Sequence, residues 1–255
     1  MKHLLKSVLS VDRVKFIRGQ ILKNINFFEK AEHIGENFQH NQIFRMKHNN
    51  VCKINELIEA IISEKVINFL KFKFKKIFLI NFFEITANGY SHRLHRDGQS
   101  LGFTKKALEY SEKIIKVIFY FNNYESKIIK IGIFPSEPVK IFNEEKKFVK
   151  INYFLENYLK KFFLKDSGYN NGDALLFDNN TWHTAPITKE ILKLDNTKIN
   201  KIITSYEVVV DDISVAIDYS KFIKKKYNVE TSYKNDFDKK LEKKFELFDD
   251  IIDLK

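Results

Sequence analysis

The chain has little of what staples, bends or interrupts a polypeptide. Its one cysteine, Cys52, can form no intrachain disulfide, which fits a reducing compartment and excludes a secreted disulfide scaffold. It has only eight glycines and three prolines, no Pro- or Ser-rich linker and no internal repeat, so a single domain is expected. Stretches such as 77–83 are the longest apolar runs and are far too short to span a bilayer, so no membrane span is expected. The basic opening MKHLLKSVLSVDRVKF has its apolar run broken by Lys6 and Asp12, and no small-residue cleavage site follows. A signal peptide is therefore not expected, and a cytoplasmic location is. Arginine is also scarce: only Arg13, Arg18, Arg45, Arg93 and Arg96 stand among 44 basic residues.

What remains is a folded globular composition. Over 255 residues, 44% are hydrophobic and 30% charged, which is ample for a buried core and excludes disorder. The formal net charge of +11 makes a field that attracts anions, whether nucleic acid, lipid surfaces or small molecules. The lysines are dispersed in a vocabulary rich in Ile, Asn and Phe, and no aromatic-and-basic nucleic-acid module accompanies them. No specific nucleic-acid partner is expected. A small-molecule substrate, an anionic one included, is.

Periodicity divides the chain into 1–75, helical or irregular; 76–210, a β core; and 211–255, C-terminal helices. Residues 55–70 (NELIEAIISEKVINFL) place apolar residues at helical spacing, with Asn55 as the cap. The period then changes: Phe72 and Phe74 alternate with lysines, and 77–85 reads as a buried strand. Further strands are expected over 113–121, 127–134, 173–177 and 201–210, and a helix over 151–163. Phe237, Leu241, Phe245, Phe248 and Ile252 recur at helical spacing, which predicts an amphipathic C-terminal helix packed on the body. Strands separated by turns, without regular helix alternation, predict a mainly β sandwich or jelly roll with flanking α-helices.

Two of the seven histidines stand in unusual contexts. Ser91-His92-Arg93-Leu94-His95-Arg96-Asp97-Gly98 is a polar segment after a buried strand. His95 and Asp97 are two apart, and in extended structure such residues point to the same side. The second context is GDALLF followed by DNNTWHTAP, a turn, an apolar strand, another turn and His183 on a returning strand. In a β-sandwich that return brings His183 beside the His95 loop. Two histidines and one carboxylate make the facial triad of non-haem Fe(II) oxygenases, with three positions left open. His92 has Leu94 two residues on and supplies no paired carboxylate.

HRDG, then KVIFYFNN, then GDALLFDNNTWHTAP resembles the phytanoyl-CoA dioxygenase family of Fe(II)/2-oxoglutarate-dependent oxygenases, over about residues 75–210. The resemblance implies a double-stranded β-helix, the jelly roll of cupin type. It implies His95, Asp97 and His183 as catalytic iron ligands, 2-oxoglutarate as cosubstrate with O₂, succinate and CO₂ as products, and hydroxylation of a small molecule or carrier-linked metabolite in biosynthetic tailoring. Because Asp97 fills the position a halide would need, chlorination is not expected. The family's arginine for the far carboxylate of 2-oxoglutarate is missing, since no arginine follows Arg96. Lys201, which opens the 201–210 strand, takes that place; Lys116, on the VIFYF strand, is the alternative, as in Jumonji-type oxygenases. Trp182 reads as a core plug, and Tyr90, Gln99, Tyr120 and Asn122 as pocket residues. A cupin-type metalloenzyme without 2-oxoglutarate, a Jumonji-like protein hydroxylase and a non-catalytic jelly roll are the alternative classes.

Overall fold

Residues 2–30, 44–87, 92–95, 97, 110–122, 132–133, 165–166, 170–181, 183–185, 199, 201–227 and 243–253 are described by a computed structural model. The N-terminal third carries β1 (Lys2–Leu5), α1 (Val11–Lys23), β2 (Phe28–Lys30), β3 (Phe44–Met46), α2 (His48–Val51), α3 (Asn55–Ile61) and α4 (Glu64–Lys73). The core follows as β4 (Ile77–Ala87), β5 (His92–His95), β6 (Ile114–Tyr120), β7 (Gly132–Ile133), β8 (Lys165–Asp166), β9 (Ala174–Asp178), β10 (His183–Ala185) and β11 (Ile202–Val210). It ends with α5 (Ile213–Tyr227) and β12 (Asp250–Ile252).

The longest strands, β4, β6 and β11, are runs of Ile, Val, Phe and Tyr, residues that favour a pleated and buried backbone. They lie side by side in a sheet of order β1-β9-β6-β11-β4-β3-β2, with β12 parallel to β4. A second sheet has the order β5-β10-β7-β8. The two sheets face one another, for the Phe177 ring of β9 lies 4.7 Å from the His183 ring of β10. This is the expected jelly roll.

Alternation assigns each face of the large sheet a different cover. Leu79, Phe83, Ile85, Val117, Phe119, Ile202 and Val208 pack with Val14 and Ile17 of α1, Leu57 and Ile61 of α3, and Val66 and Leu70 of α4. On the other face Phe78, Ile80, Ile114 and Val209 pack with Val215, Ala216, Tyr219 and Ile223 of α5. Ile118, Tyr120, Leu175 and Phe177 form a third cluster on that inner face. Both faces are covered, which is why these strands read as nearly continuous apolar runs. Arg18 of α1 donates to the carbonyl oxygens of Phe121 and, at 2.9 Å, Ile199, fastening the helix to the sheet.

Several expectations change. The single helix over 55–70 is two, because Ile62 and Ser63 leave helical geometry (Ser63 at φ −87°, ψ 130°) while both pieces keep their apolar side on one core. Asn55 is the first helical residue and not the cap, which is Ile54. Phe72 belongs to the end of α4 and is 82% exposed; the Phe–Lys alternation is a helix terminus, not a strand. The segment 1–75, expected helical or irregular, also contributes β1, β2 and β3 to the sheet, since β1 pairs with β9 and β3 with β4. At the C-terminus the helix over 237–252 is not formed through its end: Ile252 lies in β12, and Asp249 accepts the Ile77 amide at 2.7 Å. Phe245, Phe248 and Ile252 are buried, as their apolar character requires. The helix 151–163 lies outside the described residues, as does the expected strand 127–134 apart from β7.

The turn before β9 depends on Gly172. Its φ is +88°, a Cβ there would sit 2.6 Å from the Leu9 carbonyl oxygen, and the Gly172 carbonyl accepts the Leu9 amide at 2.9 Å. We expect Gly172→Ala to cost about 1–3 kcal/mol, from left-handed strain and backbone collision. Urea denaturation reads this; an unchanged midpoint would show that the β1 loop yields freely.

Candidate metal centre and adjoining cavity

The turn that delivers His183 is built by Asp178. Its carboxylate accepts the Asn180 amide at 3.1 Å and the Thr181 hydroxyl at 2.9 Å, and its carbonyl accepts the Thr181 amide at 2.9 Å. The Thr181 carbonyl in turn lies 3.0 Å from His183 Nδ1. A carbonyl only accepts, so Nδ1 carries the proton and Nε2 keeps its lone pair. That nitrogen, on a buried ring, faces Asp97: Nε2 to Oδ1 is 3.8 Å.

Cross-strand register adds the third position. In the β5–β10 pair His95 stands directly opposite His183, and His92 opposite Ala185. The His95 side chain lies outside the described residues, and among the described ones no group of three or more His, Cys, Asp and Glu converges. What is present fits a metal centre. Two cis ligands with bonds of about 2.1 Å lie about 3 Å apart, close to the 3.8 Å seen, and the histidine is held in the ligating tautomer by an outer hydrogen bond.

Lys116 lies beside them. Its Nζ is 2.9 Å from Asp97 Oδ2, with the two side chains 24% and 21% exposed. On β6 it stands between Phe177 of β9 and Glu207 of β11. Burial works against its charge, but Asp97, Glu207 and Glu84 outweigh it and hold the ammonium above the usual lysine range. Burial pushes the Glu207 carboxyl up, opposed by Lys116 and by the Tyr219 hydroxyl, which donates to it at 2.6 Å. The Asn179 amide reaches both Glu207 and Tyr219.

Asp97, Lys116, Glu207 and Tyr219 border a cleft open to solvent between the inner sheet face and the end of α5. Phe82, Glu84 and Ser205 line it from the strands, Tyr219, Lys226 and Tyr227 from the helix. Sequence reasoning missed Glu84, Glu207 and the α5 residues. A signal existed for Glu207: a charge inside the apolar run KIITSYEVVV needs a buried partner.

Lys201 is fully buried one residue before β11 and is not among the described residues lining that cavity. Burial pushes its ammonium down to about 7. Asn122, also buried, accepts the neighbouring Ile202 amide at 3.2 Å and so fixes the start of β11. Tyr120 is on the inner face. Trp182, Tyr90 and Gln99 lie outside the described residues.

No family model matches the chain, and no curated protein does. Solved structures do match. The 2-oxoglutarate-dependent epimerase SnoN from nogalamycin biosynthesis is 10% identical, with a TM-score of 0.51 over 82% of this chain and 77% of its own. HygX from Streptomyces hygroscopicus, solved with nickel, 2-oxoglutarate and hygromycin B, is 11% identical, with a TM-score of 0.52 over 82% and 83%. A Trichoplax adhaerens prolyl hydroxylase, solved with a hypoxia-inducible-factor peptide, is 10% identical, with a TM-score of 0.50 over 84% and 86%. The fold shared with them is the double-stranded β-helix, with flanking helices in this chain.

Proposed function

We propose that the chain, as one domain over 1–255, is an Fe(II)/2-oxoglutarate-dependent dioxygenase that hydroxylates a small molecule. The observation that carries this is the meeting of His183 Nε2 and Asp97 Oδ1 at 3.8 Å, with the His183 tautomer fixed and His95 in register opposite. His95, Asp97 and His183 are the proposed ligands. Bound iron with 2-oxoglutarate supplies the O₂ activation that no side chain here performs. The fold shared with SnoN, HygX and the prolyl hydroxylase supports the assignment. The HRDG and GDALLFDNNTWHTAP segments support the finer placement near the phytanoyl-CoA dioxygenases, and the biosynthetic setting of SnoN supports a tailoring role.

The cavity shapes the substrate reading. Its wall carries three carboxylates, Glu84, Asp97 and Glu207, against two lysines, Lys116 and Lys226. Such a wall favours a polar, neutral or amine-bearing molecule over the anionic one that net charge suggests. The residues' part is to bind and orient it beside Asp97 and to exclude water on the α5 side.

Lys201 is the proposed anchor of the far carboxylate of 2-oxoglutarate, with Lys116, already against Asp97, the alternative. Incubation with Fe(II), 2-oxoglutarate and O₂ should give succinate even without substrate. With substrate the product should gain one oxygen from labelled O₂ and no chlorine. Absence of succinate across a range of polar metabolites would remove the 2-oxoglutarate reading. Lys201→Ala should weaken 2-oxoglutarate binding about 10- to 100-fold, the worth of a charge-assisted contact of about 1.5–3 kcal/mol. Since burial holds the Lys201 ammonium down to about 7 before 2-oxoglutarate binds and a bound carboxylate raises it, affinity should fall with rising pH above 7, with proton uptake on binding. A pH-independent affinity in the wild type would exclude Lys201.

A further inference from the structure

We propose that Lys116 is a positioning residue that ties down one oxygen of Asp97, so that Oδ1 alone is presented to the metal. The inference rests on the metal-centre reading above and goes beyond it, because it gives Lys116 a role other than holding 2-oxoglutarate.

Three observations carry it. The Lys116 ammonium is 2.9 Å from Oδ2, the oxygen of Asp97 in contact with it, while Oδ1 is the one 3.8 Å from His183 Nε2. The two oxygens of one carboxylate therefore face different groups. Lys116 itself is seated on β6, hydrogen-bonded to strands on both sides, so its Cα is fixed by the large sheet and not by a loop. It sits in one cross-strand row with Glu207 and Phe177, whose ring packs on His183. Glu207 is held by the Tyr219 hydroxyl at 2.6 Å, so the row is braced from α5.

The consequence is a coordination count. Two histidines and a carboxylate bound through both oxygens would take four of six octahedral positions; a carboxylate restricted to one oxygen takes three in all. Lys116 thus preserves an open position that a free carboxylate would close. It also ties Asp97 to the large sheet.

Cobalt(II) is the probe, titrated into the full chain without 2-oxoglutarate and followed by calorimetry and by its visible absorption. Lys116→Met keeps the aliphatic stem and removes the charge; it should weaken Co(II) binding about 10- to 100-fold, as loss of an outer-shell partner does, and alter the absorption band. Lys116→Arg should recover most of the affinity. In an Asp97→Asn background, Lys116→Met should add little further loss, because both act through one contact. If Lys116→Met does not fold, Lys116→Met/Glu207→Gln removes the opposing buried charge as well and is compared with Glu207→Gln alone. Wild-type Co(II) affinity in Lys116→Met overturns the inference, as does an equal loss in the Asp97→Asn background. Loss of 2-oxoglutarate binding with Co(II) binding intact overturns it in favour of an anchor. The parent reading has its own control: if the wild type binds no Co(II), or binds it regardless of His183→Ala, the metal centre fails and this inference with it.

Discussion

Alanine at His183 or Asp97 is expected to weaken Co(II) binding, and to lower 2-oxoglutarate-dependent succinate formation, by more than about 100-fold, beyond what an outer-shell substitution costs. Each change removes a donor atom from the proposed centre, where His183 Nε2 and Asp97 Oδ1 stand 3.8 Å apart. The fold should survive both. Neither residue belongs to the apolar clusters that join the large sheet to α1, α3, α4 and α5. Asp97→Ala leaves Lys116 with Glu207 as its neighbour across the β6–β11 ladder, so the ammonium keeps a counter-charge. Circular dichroism and a thermal melt would establish folding, and metal analysis with succinate assay would read the loss. A folded His183→Ala protein that binds metal and forms succinate like the wild type would end the assignment.

The second large effect concerns stability in acid, through a histidine outside the centre. His48 begins α2, is 3% exposed, and stacks near Phe82 and Phe83, with ring centroids 5.5 and 6.0 Å away. The Phe83 amide donates to its Nδ1 at 3.0 Å, so the neutral ring carries its proton on Nε2. Burial pushes the imidazole down from 6.5 to about 4. The folded pKa lies below the unfolded one, so the unfolded chain takes the proton first. The stabilisation is complete above 6.5 and is lost as pH falls from 6.5 through 4. Its size is about 3 kcal/mol, because each tenfold difference in proton affinity between the folded and unfolded chain is worth about 1.4 kcal/mol. Carboxylates also titrate in this window, so the comparison is with His48→Gln: between about pH 7 and 4.5 the wild type should lose about 2–3 kcal/mol more than the variant in urea denaturation. Equal losses would mean that His48 protonates in place.

The candidate centre could be proposed from the sequence because its signals are local. Asp97 follows His95 at the two-residue spacing that an extended segment needs, and His183 follows an apolar strand and a turn. The strands over 77–85, 113–121, 173–177 and 201–210 announce themselves by β-branched and aromatic runs, and the structure has them as β4, β6, β9 and β11. The errors fall where the local pattern is shared by two structures. Apolar spacing over 55–70 is the same for one helix or for two packed on one core, and the break at Ile62 and Ser63 leaves that pattern unchanged. Phe245, Phe248 and Ile252 signal burial, but the same spacing serves a helical turn followed by a strand, and the edge of β4 was available to pair with β12.

The sequence by itself determined the candidate ligands, the jelly-roll class and the lack of any arginine after Arg96, because spacing, period and residue type are properties of neighbours in the chain. Only the tertiary structure decided that His183 lies in register with His95, that Lys116 meets Asp97 and that Glu207 and Tyr219 brace the row behind it. Those contacts join residues 12 to 88 positions apart, with Tyr219 and Glu207 the nearest pair and His95 and His183 the farthest. Their existence depends on which strands pair and in which register, and a shift of one residue would turn the strand residues Lys116, His183 or Glu207 to the opposite face of their sheets.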